Sequence, residues 1–88
     1  MSDQDNEKTD LEKSRDIISQ LKEIHHYSIT NIEKLGEFWL LLEGEMKQKE
    51  NAKHIEELLA HQNAFHDALE SFVSDYEIEC NRIENESS

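Results

Sequence analysis

Phe38-Trp39-Leu40-Leu41-Leu42 sets five large apolar neighbours side by side in a chain that is 34% charged. Successive residues of an α-helix are turned by 100°, so five neighbours occupy the whole circumference and no single packing face hides them all. This turn must be covered from more than one side. The candidates are the chain's own second half, a second copy, or another protein. Association with protein is therefore the first functional expectation.

Composition narrows the fold. Eighty-eight residues allow one small domain. With no proline and only two glycines, little punctuates strands and turns, and long helices are the economical solution. A chain of this size buries only about 60% of the surface its unfolded form exposes. A lone two-helix hairpin is marginal on those terms, and oligomerisation is the usual remedy.

Charge and cysteine usage exclude several classes of function. The formal net charge of −12 opposes direct binding of nucleic acid, whose phosphates need clustered Lys and Arg. It equally opposes docking on anionic membranes. A basic protein partner, or simple solubility, fits the sign. The single Cys80 rules out an intramolecular disulfide and suits a reducing, cytoplasmic setting. The polar start of the chain predicts no leader, and the five-residue apolar run falls far short of the ~20 residues that span a bilayer.

Local patterns place the elements. Residues 1–8 are polar and patternless, and a frayed tail is expected. Thr9-Asp10-Leu11-Glu12 has the spacing of a capping box, and the acids suit the positive end of a helix. From there Leu11, Ile18, His25, Ile32, Trp39 and Met46 recur every seven residues. Ser14, Leu21, Ser28, Leu35 and Leu42 lie between them, and Ile17, Ile24 and Phe38 widen the stripe. The stripe fades over residues 43–51, where Gly44 is expected to close the first helix and Asn51 to cap the second. Gly36 lies inside helix 1 and marks either a kink or a close approach. The spacing predicts helix 1 over about 9–46, a turn at about 44–51, helix 2 over about 52–84, and a frayed end at 85–88.

Helix 2 carries three neighbouring columns. Ile55, Gln62, Leu69, Tyr76 and Ile83 recur every seven, with Leu58, Phe65 and Phe72 on one side and Leu59, His66, Val73 and Cys80 on the other. A reversal near residue 49 would set Leu35 against Phe65, Ser28 against Phe72 and Leu21 against Tyr76. The expected fold is therefore all-α: a long antiparallel two-helix hairpin, assembling into a four-helix bundle or a coiled-coil-like dimer. Ala60, Ala64, Ala68 and Ser71 form a small-residue stripe, either ordinary helix formers on the surface or a second packing face.

Few residues invite chemistry. His54, Glu57 and His61 share one side of helix 2, but they lie off the apolar stripe and no second Glu-x-x-His accompanies them, so neither metal nor cofactor is expected. His25, His66 and Gln62 are the polar members of the stripe. They are either tolerated at its margins, or they fix register or oligomer state as polar seam residues can, with a response to pH as a further option. Cys80 has Glu77 and Glu79 nearby, which oppose thiolate formation. With no phosphate loop or paired-carboxylate cleft, no catalytic residue and no enzyme activity are expected.

In size and hairpin layout the chain resembles small secreted helical hairpins of the WXG type. Its Trp39 is followed by Leu40-Leu41 rather than by the Trp-x-Gly of that motif, so the likeness implies no function.

The expected function is a non-enzymatic, regulatory association module, acting as a homodimer or on a partner protein. Its expected interface is Phe38, Trp39, Leu40, Leu41, Leu42, Leu58, Leu59 and Phe65, with Leu40 and Leu41 pointing outward and Trp39 at the boundary. The alternative is an acidic antagonist of a basic protein, such as a nucleic-acid-binding one. From His54 to Asn81 there is no Lys or Arg against seven acids, and Glu70, Glu77 and Glu79 are the acidic face that reading would use.

Overall fold

The computed structural model describes residues 9–87, so the tail expected over residues 1–8 lies outside the described part. Two helices, α1 (Asp10–Leu40) and α2 (Lys49–Ser87), run antiparallel, and among the described residues there is no strand. The molecule measures 62 × 27 × 13 Å. Its radius of gyration is 19.6 Å, against about 12 Å for a compact chain of this length. It is a rod one helix pair thick, and α2 runs on through Ser87 past the end expected near residue 84.

The start of α1 follows from four residues. The Thr9 hydroxyl accepts from the Glu12 amide at 3.1 Å, and the Glu12 carboxylate accepts from the Thr9 amide at 2.9 Å. Both orphan donors are satisfied reciprocally, as the capping-box spacing requires. Replacing Thr9 with Ala is expected to cost about 1 kcal/mol, read from the midpoint of urea unfolding.

The reversal is built differently from the expectation. α1 widens into a π-helical turn over Leu41–Glu45, with the Met46 amide donating to the Leu41 carbonyl. The Gln48 amide then donates back to the Leu42 carbonyl at 2.7 Å, and the residue in the left-handed conformation is Lys47, with φ of 55°. Gly44 keeps a negative φ inside the π turn, and a Cβ there would meet nothing. The glycine thus sits three residues before the position that needs one. Asn51 lies within the first turn of α2 rather than capping it, and its side chain donates to that of Gln48. A left-handed non-glycine residue costs about 1 kcal/mol and a helical glycine about as much. Lys47→Gly and Gly44→Ala are each expected to stabilise by roughly 0.5–1 kcal/mol, measured by urea unfolding at fixed protein concentration. A lower unfolding midpoint for either would contradict the account of the turn.

Gly36 does not mark a close approach of the helices. α1 is continuous through it, and nothing from the facing helix lies within 4 Å of where its Cβ would be.

The seam between the helices keeps a strict three-four spacing. In α1 the covered positions run from Leu11 and Ser14 through Ile18, Leu21, His25 and Ser28 to Trp39, and Leu42 of the π turn continues the pattern. In α2 they are Ala52, Ile55, Leu59, Gln62, His66, Leu69, Val73, Tyr76 and Cys80. That is the a/d repeat of a two-stranded coiled coil. The most buried apolar cluster is Ile18 with Leu69, Val73 and Cys80, with Leu11, Leu21 and Tyr76 packed around it. Ala52 is fully buried where the two helices converge at the turn.

Register differs from the expectation with a clear cause. Ser28 meets His66 rather than Phe72, and Tyr76 bonds to Ser14 rather than facing Leu21 alone. The chain turns at Lys47, two residues earlier than the geometric estimate, and each residue turned in sooner shifts every pair downstream. The column Leu58, Phe65 and Phe72 leaves the seam as a result, and all three side chains stay about half exposed.

Candidate functional site: an apolar flank and a histidine layer

A two-helix seam has two flanks, and here they differ in chemistry. One is ionic. Arg15 pairs with Glu84 at 2.7 Å and bonds to Asn81, and Lys22 pairs with Glu77 at 2.6 Å. The Trp39 indole donates to the Glu56 carboxylate at 2.8 Å on the same side. Among the positions flanking the seam here, Ile29 is the one large apolar side chain. Such exposed pairs orient the helices more than they stabilise them.

The opposite flank is apolar. Ile17, Ile24 and Phe38 occupy the position before each seam residue of α1, and Leu58, Phe65 and Phe72 occupy the same position in α2. In an antiparallel pair these positions face one another. Phe38, Leu58 and Phe65 line a groove of ≈ 600 Å³, floored by Leu35 and Gln62 and edged by Asn31, Lys34 and His61. Phe38, Leu58, Phe65 and Phe72 are 48–52% exposed, and Phe72 stacks on Tyr76. Tyr27 and Leu41 border the same strip by helical phase.

The expected interface residues therefore divide. Phe38, Leu58 and Phe65 come together on the groove. Trp39, Leu42 and Leu59 are half-buried in the seam, and Trp39 has its hydrogen bond satisfied within its own chain. Leu41 lies about 60° from Phe38 around the helix, whereas Leu40 lies roughly 160° away, on the outer face. Leu40 is 67% exposed.

The acidic trio divides as well. Glu70 and Glu77 lie on the ionic flank, beside His25 and paired with Lys22 respectively. Glu79, two residues further on, is turned by 200° and falls on the apolar side. The three do not form one patch. Ala60, Ala64 and Ala68 are exposed on the outer face of α2.

Polar groups interrupt the seam at mid-rod. Ser28 is buried, and its hydroxyl donates to the His25 carbonyl at 2.7 Å. Its oxygen lies 3.0 Å from His66 Nδ1. A hydroxyl has one proton to give, so the imidazole is the donor in that second bond. His66 is thereby held with its proton on Nδ1 and its lone pair on Nε2. The His25 and His66 rings stack with centroids 4.2 Å apart. Nearer one end, the Tyr76 hydroxyl donates to Ser14 at 2.7 Å. His54 and Glu57, which sequence spacing sets on one side of α2 but off the apolar stripe, are solvent-exposed and 3.7 Å apart.

No helix among the described residues is long and apolar enough to cross a membrane. No protein family, curated protein or solved structure matches this chain. The fold defines the class, an antiparallel helical hairpin, and function must be argued from its surfaces.

Proposed function

We propose that the protein is a non-enzymatic self-association module in which two hairpins bury their apolar flanks against each other as a four-helix bundle. The observation that carries this reading is the third apolar column on each helix. A two-stranded seam needs two columns, whereas a helix facing a bundle core carries three, the extra one beside the seam. Here the extra columns of α1 and α2 lie on one flank and form a ready second layer.

Charge distribution favours a second copy as the occupant. The chain carries −12, yet from Lys13 to Leu41 and from Asn51 to Phe72 no position on this flank holds a carboxylate. The flank's edges carry Lys13, Lys34, His54 and His61 instead. Two copies can meet there without opposing acids, while the acids crowd the outer and ionic faces. A basic partner surface would not need that exclusion. A reducing, cytoplasmic setting suits the buried free thiol of Cys80.

The test is solution mass across a dilution series. Twice the 10.4 kDa chain mass is expected at micromolar concentration, with little dependence on salt because the contact is apolar. A monomer at every concentration overturns the reading. Salt-sensitive capture of a basic protein by that monomer would favour the acidic antagonist instead.

A further inference from the structure

We propose that His25, His66 and Glu70 form a binding site for a divalent transition-metal ion of the zinc class, which would clamp α1 to α2 at the middle of the rod. One donor atom from each residue lies within 4.8 Å of the other two. Two imidazoles and one carboxylate make a well-suited zinc donor set that leaves a fourth position for water.

Three features of the layer point to a missing cation. First, His25 Nε2 is buried with no hydrogen-bond partner. The Glu70 carboxylate oxygen Oε2 stands 3.7 Å from it, beyond hydrogen-bonding distance. Buried polar atoms in folded proteins are almost always satisfied, so an orphan of this kind calls for an unseen partner. Second, Ser28 holds the proton of His66 on Nδ1 and leaves Nε2 with a free lone pair. Metal-binding histidines are oriented in this manner, by a hydrogen bond from the ring nitrogen that does not ligate. Third, Glu70 is exposed on the ionic flank and gives the ion a path from solvent. That flank is opposite the apolar groove, so the site stays open whether or not two hairpins associate.

The geometry asks for a small adjustment. Zinc bonds of about 2.0–2.2 Å place tetrahedral donors roughly 3.4 Å apart. Closing from 4.8 Å takes side-chain rotation of the stacked rings and of the exposed Glu70 carboxylate. His66 and Glu70 are one helical turn apart and His25 faces them across the seam, so the three donors start on one side of the hairpin. The two imidazoles bind as neutral ligands, and the carboxylate offsets one positive charge of the ion.

The full-length protein, stripped with chelator, is titrated with Co²⁺ and with Zn²⁺. One equivalent per chain is expected to give a saturable visible Co²⁺ band, discharged by Zn²⁺. At hundredfold excess over Kd the melting temperature is expected to rise by roughly 10–20 °C. Glu70→Gln changes an exposed side chain and leaves the fold intact. It is expected to weaken binding by more than the ~10- to 100-fold that loss of a supporting group alone costs. His25→Gln is expected to abolish the band, and the double variant His54→Ala with His61→Ala to leave it unchanged. The proposal is overturned if neither metal shifts the melt. It is overturned equally if Glu70→Gln binds Co²⁺ as tightly as the unaltered protein, or if the band disappears in the His54 and His61 variant.

Discussion

Phe65→Glu is expected to convert the proposed dimer into a helical monomer. Phe65 lies outside the seam and lines the groove with Phe38 and Leu58, so the hairpin loses little internal packing when the half-exposed ring is removed. Across the proposed contact, however, a carboxylate would be driven into an apolar layer that at present holds none. Loss of an aromatic anchor costs about 2–4 kcal/mol in association, and burying an unpaired charge adds to it. Weakening of at least ~100-fold follows from those figures. Sedimentation equilibrium would show 10.4 kDa with unchanged far-ultraviolet dichroism. Phe38→Glu should behave alike. By contrast, Leu40→Glu should leave the mass untouched, because Leu40 points to the outer face. If Leu40→Glu dissociates the dimer and Phe65→Glu does not, the contact has been placed on the wrong side of the rod.

The second large effect concerns the seam itself. Ile18→Ala removes a side chain that is 4% exposed at the centre of the main apolar cluster. Truncations of this type cost about 2–5 kcal/mol, and a rod with so few buried side chains has little else to absorb the loss. In the monomeric Phe65→Glu background, Ile18→Ala is expected to leave the chain largely unfolded at 25 °C. Phe72→Ala, at a site 52% exposed, should cost less than about 1 kcal/mol there. This contrast reads the register directly. Comparable losses from the two substitutions, measured by urea unfolding, would put Phe72 back in the core against Ser28, as the simple geometry of the sequence had it.

Local chemistry was legible without the structure. The capping box at Thr9 and Glu12 is a contact between residues three apart, and spacing alone specifies it. The two long helices and a reversal somewhere within residues 44–51 follow from the seven-residue repeats and the absence of proline. Even the asymmetric place of Leu40 and Leu41, outside the main stripe, follows from helical phase.

The turn was less legible because two forces competed. Gly44 is the better residue for a left-handed helix end, yet the π turn carries the helix past it and leaves Lys47 in that conformation. Local preference was overridden by where the two helices had to meet. For the histidine layer the missing signal was cross-helix. His66 and Glu70 stand one turn apart and could have been paired on sight, but His25 joins them only through the tertiary register.

What the sequence determined by itself is thus a helical hairpin with more apolar surface than one seam can hold. Periodicity is a property of a single helix, and α2 offers two possible seams that share the column of Ile55, Gln62, Leu69 and Tyr76. Only the tertiary structure decides between them, by bringing Leu59, His66, Val73 and Cys80 inward and leaving Leu58, Phe65 and Phe72 on the flank. The reason is steric and electrostatic at once: close packing beside Ala52 at the turn, and Arg15 and Lys22 meeting Glu84 and Glu77 on the far side, hold α2 in one rotation and not the other.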